Sequence, residues 1–359
     1  MNIEDLTIAP KPDQYEPWQL GSLLKEDLPE VGIAFIFVSD CRGAGRGAEI
    51  QDFTLLRQQL YTLSALDFET PLYDYGDLIS GKTLQDTHFV LQEILSQCHY
   101  KNTIPVVIGG GNDLAFSLFL ALNFHHQHLN YTQISNVVNL GDTPGEITEK
   151  NFLNRIFSAK NFSLKNYHHL GYQKHLNATD SIKLIEQVEF DVMRLAEMMG
   201  TTAAAEPFFR NADLVTINCD AVESFASPFS LNPQVNGLNR REICAYMKEA
   251  GLSSQLKCAG IFNFELQTRS FLNVQLLAQM VWHLAEGINI QKSHPKEKNL
   301  ETFWVLIDDE QYAFKRDVFT GLWYFGNDDA IENCLPCSEQ EFNKAKQGVL
   351  SRRLEKFLK

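Results

Sequence analysis

Basic side chains are scarce in this chain, and no segment concentrates them. Its 359 residues include 31 Lys and Arg against 45 Asp and Glu, which gives a formal net charge of -14. Nucleic acids and anionic membranes bind surfaces on which Lys and Arg cluster, so the composition argues against both as partners. No apolar run approaches the ~18 residues that span a bilayer, and the segment from Met1 does not resemble a signal peptide. We therefore expect a soluble protein without a membrane partner.

The cysteines are few and dispersed. There are seven of them, scattered along the whole chain. An odd, scattered set is typical of reduced thiols rather than of a disulfide framework, which predicts a cytoplasmic location. Cys334 and Cys337 form a lone CxxC pair. Because no second pair or nearby His completes a zinc site, the pattern does not favour a metal or redox role there.

Apolar runs alternate with segments of helical periodicity. The runs predict strands over residues 31–38, 105–108, 134–140, 214–219 and 260–264. One predicted helix carries Phe53, Leu56, Leu60 and Leu63 at spacings of three and four. Further helices are predicted over 87–98, 115–124, 182–199, 240–250 and 272–288, the last ended by Gly287. Buried strands that alternate with helices predict an α/β fold, a mainly parallel sheet in a three-layer α/β/α arrangement.

The pattern changes after residue 290. Residues 291–299 are polar and contain Pro295, which is typical of an exposed loop. Aromatic runs at 302–307, 312–319 and 322–325 then predict an antiparallel meander. Ser338 and Glu341 have the spacing of a capping box at the start of a last helix. We therefore predict an α/β/α domain over residues 1–290 and a small C-terminal β/α appendage over residues 300–359.

Three of the predicted strands run into loops rich in Gly, Asn and Asp. The first loop is Gly109-Gly110-Gly111-Asn112-Asp113, the second follows Leu140, and the third contains Asn218 and Asp220. Parallel sheets place their functional residues beyond the carboxyl ends of the strands. We expect the three loops to converge on one cleft there.

These segments resemble motifs of the ureohydrolase family, which includes arginases, agmatinases and formimidoylglutamases. The likeness covers roughly residues 30–290 and is closest to the formimidoylglutamase branch. It implies the arginase-like α/β/α fold and hydrolysis of the C–N bond in linear amidines or guanidines. In active relatives two Mn²⁺ ions bridged by hydroxide supply the nucleophile, because two close cations lower the pKa of the bridging water.

The resemblance also implies where metal ligands lie in active relatives, and most are replaced here. Asn112 stands at the position of a ligand His, and Asn218 replaces one of two carboxylates, of which Asp220 is kept. The second loop has lost all three of its ligands, and the replacing residues are Gly141, Thr143 and Gly145. Neutral amides are weak ligands for Mn²⁺, which prefers anionic oxygen and imidazole.

A later Glu of the family corresponds to Asn263, with Glu265 as the alternative register. Because most of the metal ligands are replaced, we expect no bound cofactor. The alternative is one weakly held divalent cation at Asp220 with Asp142. Five further residues are candidates for lining the cleft that remains: Asp113, Asp142, His168, His169 and Glu265.

Two functions compete on this reading. The first is a catalytically silent ureohydrolase relative that serves as a binding or scaffold protein, with no catalytic residue. The second is an active hydrolase of amidine or guanidine C–N bonds with a rearranged site. The replaced ligands at Gly141, Thr143 and Gly145 favour the first. The resemblance implies a homo-oligomer, and a small molecule is the expected ligand.

Overall fold

A nine-stranded sheet forms the centre of the protein. A computed structural model describes residues 3–11, 13–25, 31–47, 52–142, 145–224, 226–295 and 297–359. The strands of this sheet are β1 (Thr7–Ile8), β2 (Gly32–Phe37), β3 (Leu72–Leu78), β4 (Thr103–Ile108), β5 (Leu129–Ile134), β6 (Leu164–Tyr172), β7 (Asp191–Arg194), β8 (Leu214–Asn218) and β9 (Cys258–Phe262). Their spatial order is β1-β3-β2-β4-β9-β8-β5-β6-β7. β1 runs antiparallel to β3, and the remaining pairs between described strands are parallel.

Helices cover both faces of this sheet because its central strands send apolar side chains to two cores. In β2, Phe35 and Phe37 face one core, while Ala34 and Ile36 face the other. The helices in chain order are α1 (Thr54–Tyr61), α2 (Leu84–Tyr100), α3 (Ala115–His125), α4 (Phe152–Ser158), α5 (Thr179–Gln187), α6 (Leu195–Met198), α7 (Glu206–Phe209), α8 (Arg240–Gly251) and α9 (Phe271–Ser293). Helices α1, α8 and α9 pack in the first core and α2, α3 and α4 in the second. The predicted three-layer α/β/α fold is confirmed.

Two predicted elements differ from the observed ones. The strand predicted over residues 134–140 is β5, which ends at Ile134, and the apolar residues after it lie in a loop. The helix predicted over 182–199 ends at Gln187, because Glu189 adopts a left-handed conformation with φ +62 and the chain then enters β7. Pairing of β7 with β6 overrides the helical periodicity of that segment.

Gly287 does not end the last helix of the large domain, contrary to prediction. α9 continues to Ser293, and Gly287 lies against α8. A Cβ atom there would lie 2.4 Å from the carbonyl oxygen of Lys248 and 2.9 Å from Cα of Gly251. The glycine therefore allows two helix backbones to approach closely.

The C-terminal segment forms a second, four-stranded antiparallel sheet. Its strands are β10 (Leu300–Ile307), β11 (Glu310–Asp317), β12 (Trp323–Phe325) and β13 (Leu335–Cys337), followed by α10 (Glu339–Ala345) and α11 (Arg352–Phe357). Phe314, Trp323 and Phe342 centre its separate core. Ser338 and Glu341 form the predicted capping box of α10. The small C-terminal β/α unit is thus confirmed, whereas the exact division at residues 290 and 300 stays a prediction.

Arg210 ties the second sheet to the first. Its guanidinium pairs with Glu206 in α7, donates to the carbonyl oxygens of Trp323 and Cys337, and lies 4.6 Å from the centre of the Tyr324 ring. Arg210 is 5% exposed. Its charge and donors are therefore satisfied inside the contact between the two sheets.

All seven cysteines are free and buried. Burial is the main cause that raises the pKa of each thiol. Among the described residues, no helix has the combination of length and hydrophobicity needed to cross a bilayer.

Candidate functional site

Three neighbouring strands bring polar residues to one edge of the large sheet. β4 leads through three glycines to Asn112, β8 ends at Asn218, and β9 is followed by Asn263. Because β4, β9 and β8 are adjacent and parallel, their carboxyl ends meet at the same edge. The backbone N–H of Asn112 donates to Oδ1 of Asn263 over 2.8 Å. We call the residues gathered here the carboxyl-end cluster: Asn112, Glu149, Asn218, Asp220, Asn232 and Asn263.

The amide of Asn263 lies between two carboxylates. Its Nδ2 donates to Oδ2 of Asp220 over 2.7 Å and to Oε2 of Glu149 over 2.8 Å. The residue is fully buried, and its backbone is left-handed with φ +59, a conformation that Asn tolerates better than most side chains. One neutral amide group thus uses both of its hydrogens to hold two acidic side chains together.

Asp220 is satisfied by neutral donors. Besides Asn263, it accepts hydrogen bonds from the backbone N–H of Asn232 at 3.0 Å and from Nδ2 of Asn232 at 3.1 Å. Its own N–H donates to Oδ1 of Asn218 over 2.9 Å. The side-chain oxygen of Asn218 therefore accepts one hydrogen bond within a local turn.

Glu149 was not predicted from the sequence, since no spacing or motif distinguishes it. It lies in the loop that leads to α4, where its N–H donates to the carbonyl oxygen of Gly43. Burial raises the pKa of Glu149, the hydrogen bond from Asn263 lowers it, and the charges of Asp220 and Asp113 raise it again. The net effect is a raised pKa, so Glu149 is harder to ionise in the cluster than a free glutamate side chain is.

Asn112 is the unsatisfied member of the cluster. Its side chain is completely buried, and neither Oδ1 nor Nδ2 has a hydrogen-bond partner among the described residues. Gly109 and Gly110 before it have φ +90 and φ +75, which a residue with a Cβ would adopt only under strain. The loop thus fixes a buried amide that could bind a ligand or a water molecule.

Asp113 directly follows Asn112 and contacts His88 rather than a member of the cluster. Its Oδ2 is 3.2 Å from Nε2 of His88. A Cβ on Gly43 would lie 2.0 Å from Cγ of Asp113, and one on Gly111 would lie 2.2 Å from its Oδ1. Burial raises the pKa of Asp113, and His88 lowers it. This predicted cleft residue is therefore enclosed by two glycines and a histidine.

The second predicted ligand loop is not part of the cluster. β5 pairs with β8 so that Ile134 lies opposite Ile217, which puts Ser135 beside Asn218 at the sheet edge. Gly141, Asp142 and Gly145 come later, on an exposed loop, and Thr143 lies outside the described residues.

The predicted strand was extended to Leu140 because Val138 and Leu140 are apolar, and the loop was therefore expected further along the chain. At the strand end itself, Asn136 is buried, and its Oδ1 has no hydrogen-bond partner. Asp142 is exposed on this loop, whereas Asp220 is buried in the cluster, so a cation shared by these two carboxylates stays a prediction.

Glu265 also stays outside the cluster. It lines a separate cavity of about 140 Å³ with Cys41 and Arg46, and its Oε1 accepts from the N–H of Gln267. Of the two registers considered, the one with Asn263 places an amide against Asp220.

His168 and His169 point to opposite faces of β6, and neither lines the cluster. His169 is fully buried, with Nε2 3.1 Å from the carbonyl oxygen of Ser135. The His168 ring contacts that of Phe208, and its Nε2 lies 3.6 Å from Oδ2 of Asp191, near the second sheet. Burial lowers the pKa of each imidazole to about 4.

The residues of the cluster do not fit the two Mn²⁺ ions of active ureohydrolases. No group of three or more His, Cys, Asp and Glu within the described ranges is arranged to hold a metal ion. Two carboxylates, Asp220 and Glu149, are already bridged by an amide, and the other donors are neutral. Divalent cations in such sites require several anionic or imidazole ligands.

Comparison with known proteins agrees with this fold. No protein-family model matches the chain. Formiminoglutamase from Trypanosoma cruzi, solved with Mn²⁺, superposes with a TM-score of 0.69 at 20% identity, over 77% of this chain and 99% of that one. Formimidoylglutamase from Bacillus subtilis gives 0.66 at 15% identity, over 79% and 96%. Proclavaminate amidino hydrolase from Streptomyces clavuligerus gives 0.60 at 14%, over 77% and 98%. The chain has the arginase fold.

A curated sequence relative points the same way. Formimidoylglutamase from Clostridium tetani is 24% identical over 186 residues. The matched part is 46% of this chain and 55% of the relative, so about half of that protein's length is spanned. The structural neighbours show that the chain has the fold of these enzymes, and the sequence relative is a formimidoylglutamase, as are two of those neighbours.

Proposed function

We propose that this protein is a ureohydrolase relative that has exchanged its metal centre for a hydrogen-bonded network, and that it acts as a non-catalytic binding or scaffold protein. The carrying observation is the position of Asn263. Its amide donates to Asp220 and to Glu149, so two carboxylates are held by a neutral group where active relatives use cations. This arrangement stabilises the fold at the former site without a metal.

A binding role has a specific basis in Asn112. Its buried amide offers both a donor and an acceptor that no described residue uses. A buried polar group without a partner is costly, so a ligand that satisfied it would gain affinity. The ligand class suggested by the relatives is a linear amidine or guanidine, whose N–H groups match the carbonyl oxygen of Asn112 and the carboxylate of Glu149.

One observation favours the second candidate, an active C–N hydrolase with a rearranged site. Glu149 is part-buried and carries a raised pKa beside a second carboxylate. Carboxyl groups with raised pKa values in clefts are common general acids and bases. On this alternative, Glu149 would exchange a proton with the substrate.

Metal content and turnover test the two candidates together. The purified protein is incubated with excess Mn²⁺, passed through a desalting column and analysed for bound metal, and hydrolysis of linear amidines and guanidines is then assayed. We expect less than about one Mn²⁺ per chain, since anionic ligands are missing. We also expect no turnover above that of a Glu149→Gln variant. Two tightly bound Mn²⁺ ions, or turnover lost in Asp220→Asn, would establish the active hydrolase instead.

Assembly and location complete the proposal. The resemblance to ureohydrolases supports a homo-oligomer. The seven free thiols support a location in the cytoplasm, where they would stay reduced. Light scattering at micromolar concentration tests the first point, since a monomer there would contradict it. A fluorescent fusion imaged in cells of the source organism tests the second.

A further inference from the structure

A cavity of about 350 Å³ opens between the two sheets, at the end of the large sheet opposite the carboxyl-end cluster. One wall comes from the first residues of β5 and β6 and from Phe208, and the other from β13 and α11. We call it the inter-sheet cavity. Its volume lies at the lower end of the range of pockets that hold small organic ligands.

The basic side chains of the cavity are unusual in so acidic a chain. Lys165, Arg353 and Lys356 line it, against the acidic Asp191 and Glu332. Lys356 donates to a main-chain carbonyl rather than to a carboxylate, and the closest acidic contact of Arg353 is a long one of 3.5 Å outside the cavity lining. Their positive charge is therefore only partly cancelled, in a protein whose net charge is -14.

Two polar groups in the cavity have no partner. The ammonium of Lys165 and the side-chain amide of Asn211 make no hydrogen bond or ion pair within the described part of the chain. Both residues also line a neighbouring groove of about 880 Å³, which extends to Lys292 and Lys298. The groove provides an entry path, and its other charged side chains are Lys292 and Lys298 together with Asp213 and Glu332.

An apolar floor accompanies these charges. The Phe208 ring in its wall is only 8% exposed, with the guanidinium of Arg353 4.5 Å and the centre of the His168 ring 5.0 Å from its centre. Part-buried Leu335 and exposed Phe357 present apolar surface to the cavity. A flat or apolar group could therefore pack against Phe357 and Leu335 while an attached anion reached Lys165.

We propose that the inter-sheet cavity binds a small organic anion, a carboxylate or phosphate ester carried on a ring or another apolar body. The anion pairs with Lys165 and accepts a hydrogen bond from Asn211, and the body packs against Phe357 and Leu335. This site is separate from the carboxyl-end cluster, so it can be present whether or not the proposed function is correct.

Isothermal titration calorimetry on the full-length protein tests the site, with ionic strength held constant. The probes are adenosine 5′-monophosphate, a phosphate ester, and benzoate, a carboxylate. Adenosine serves as a control that carries only the ring body, and inorganic phosphate as a control that carries only the anion. We expect at least one of the first two to bind one site per chain, and to bind at least about tenfold more tightly than either half alone.

Charge reversal locates the binding. Lys165→Glu should weaken the affinity at least about tenfold, because attraction becomes repulsion at a position that packing does not need. Lys160→Glu is the matched control, since Lys160 is also exposed but does not line the cavity. Unchanged melting temperatures establish that both variants are folded. If neither anionic probe binds, or if Lys165→Glu binds as tightly as Lys160→Glu, the proposal is wrong.

Discussion

The charged side chains at the two ends of the large sheet differ in whether they have hydrogen-bond partners. At the carboxyl end, Asp220 and Glu149 are held by the amide of Asn263, and the charges are enclosed among neutral donors. At the amino end, Lys165 faces a cavity with no partner among the described residues. A parallel sheet normally places its chemistry at the carboxyl end. Here the two carboxylates at that end are held by internal hydrogen bonds, and the cavity with an ammonium group unpaired among the described residues lies at the other end.

Removal of Arg210 tests how strongly the amino end depends on the second sheet. In Arg210→Ala, Glu206 and the carbonyl oxygens of Trp323 and Cys337 lose their shared partner inside a buried contact. We expect a loss of about 3–5 kcal/mol in unfolding free energy, since one half of a buried ion pair is left alone. Urea unfolding measures it. Arg316→Ala, at an exposed position, should cost less than about 0.5 kcal/mol, and equal losses in both variants would contradict the role given to Arg210.

Asn263→Asp tests the closed network at the carboxyl end. The variant replaces a donor between two carboxylates with a third carboxylate, so repulsion takes the place of two hydrogen bonds. We expect a loss of about 2–4 kcal/mol at pH 8, and a smaller loss at pH 5, where protonation relieves the repulsion. Asn299→Asp is the control, because Asn299 is exposed. Equal stability of Asn263→Asp and the control would mean that the network contributes little.

Restoring metal ligands at the carboxyl-end cluster should allow it to bind Mn²⁺. The triple variant Asn112→His, Asn218→Asp, Asn263→Asp adds an imidazole and two carboxylates beside Asp220. Asp at position 218 keeps the acceptor for the N–H of Asp220. We expect Mn²⁺ at about 100 times its Kd to stabilise this variant by about 2.7 kcal/mol, and to leave the parent unchanged. No Mn²⁺-dependent rise in melting temperature would show that these side chains do not share a metal-sized space.

The pH dependence of Glu149 gives the smallest expected effect. Its pKa is raised in the folded protein, so the folded state binds this proton more tightly than the unfolded state does. This contribution to stability is full below the unfolded pKa and is lost as pH rises through the folded pKa. Glu149→Gln should therefore melt about 2 °C above the parent at pH 8 and close to it at pH 4. A constant difference across this range would contradict the assignment.

The sequence anticipated the layers of the fold better than the details of the cluster. Strands such as β2 and β9 are short apolar runs, and α8 has clear helical periodicity with Asn239 as its N-cap. These signals are local, so they can be recognised without knowing the partners of each residue. Asn112 and Asn263 were identified through the resemblance to ureohydrolase motifs that follow strands of this kind.

Non-local pairing explains what was missed. β5 has polar residues at alternate positions, such as Asn130 and Thr132, and its end is defined by pairing with β8 rather than by hydrophobicity. The strand predicted to run to Leu140 therefore ends at Ile134, and the loop after it begins at Ser135. Glu149 joins the cluster through the course of a loop, which no spacing rule describes. The inter-sheet cavity depends on how two separate sheets meet, and that contact has no sequence signature.

Because all seven thiols are buried, the rate at which each is labelled measures how often the structure around it opens. Only the thiolate reacts with disulfide reagents, and burial suppresses thiolate formation as well as access. Each cysteine can therefore be labelled only when its surroundings open. Cys337 lies in β13 of the second sheet and Cys334 directly before it, whereas Cys258 lies in β9 of the first sheet and Cys219 directly after β8. Under native conditions, the order in which these sites are labelled would reveal which sheet opens first, and whether the two open together.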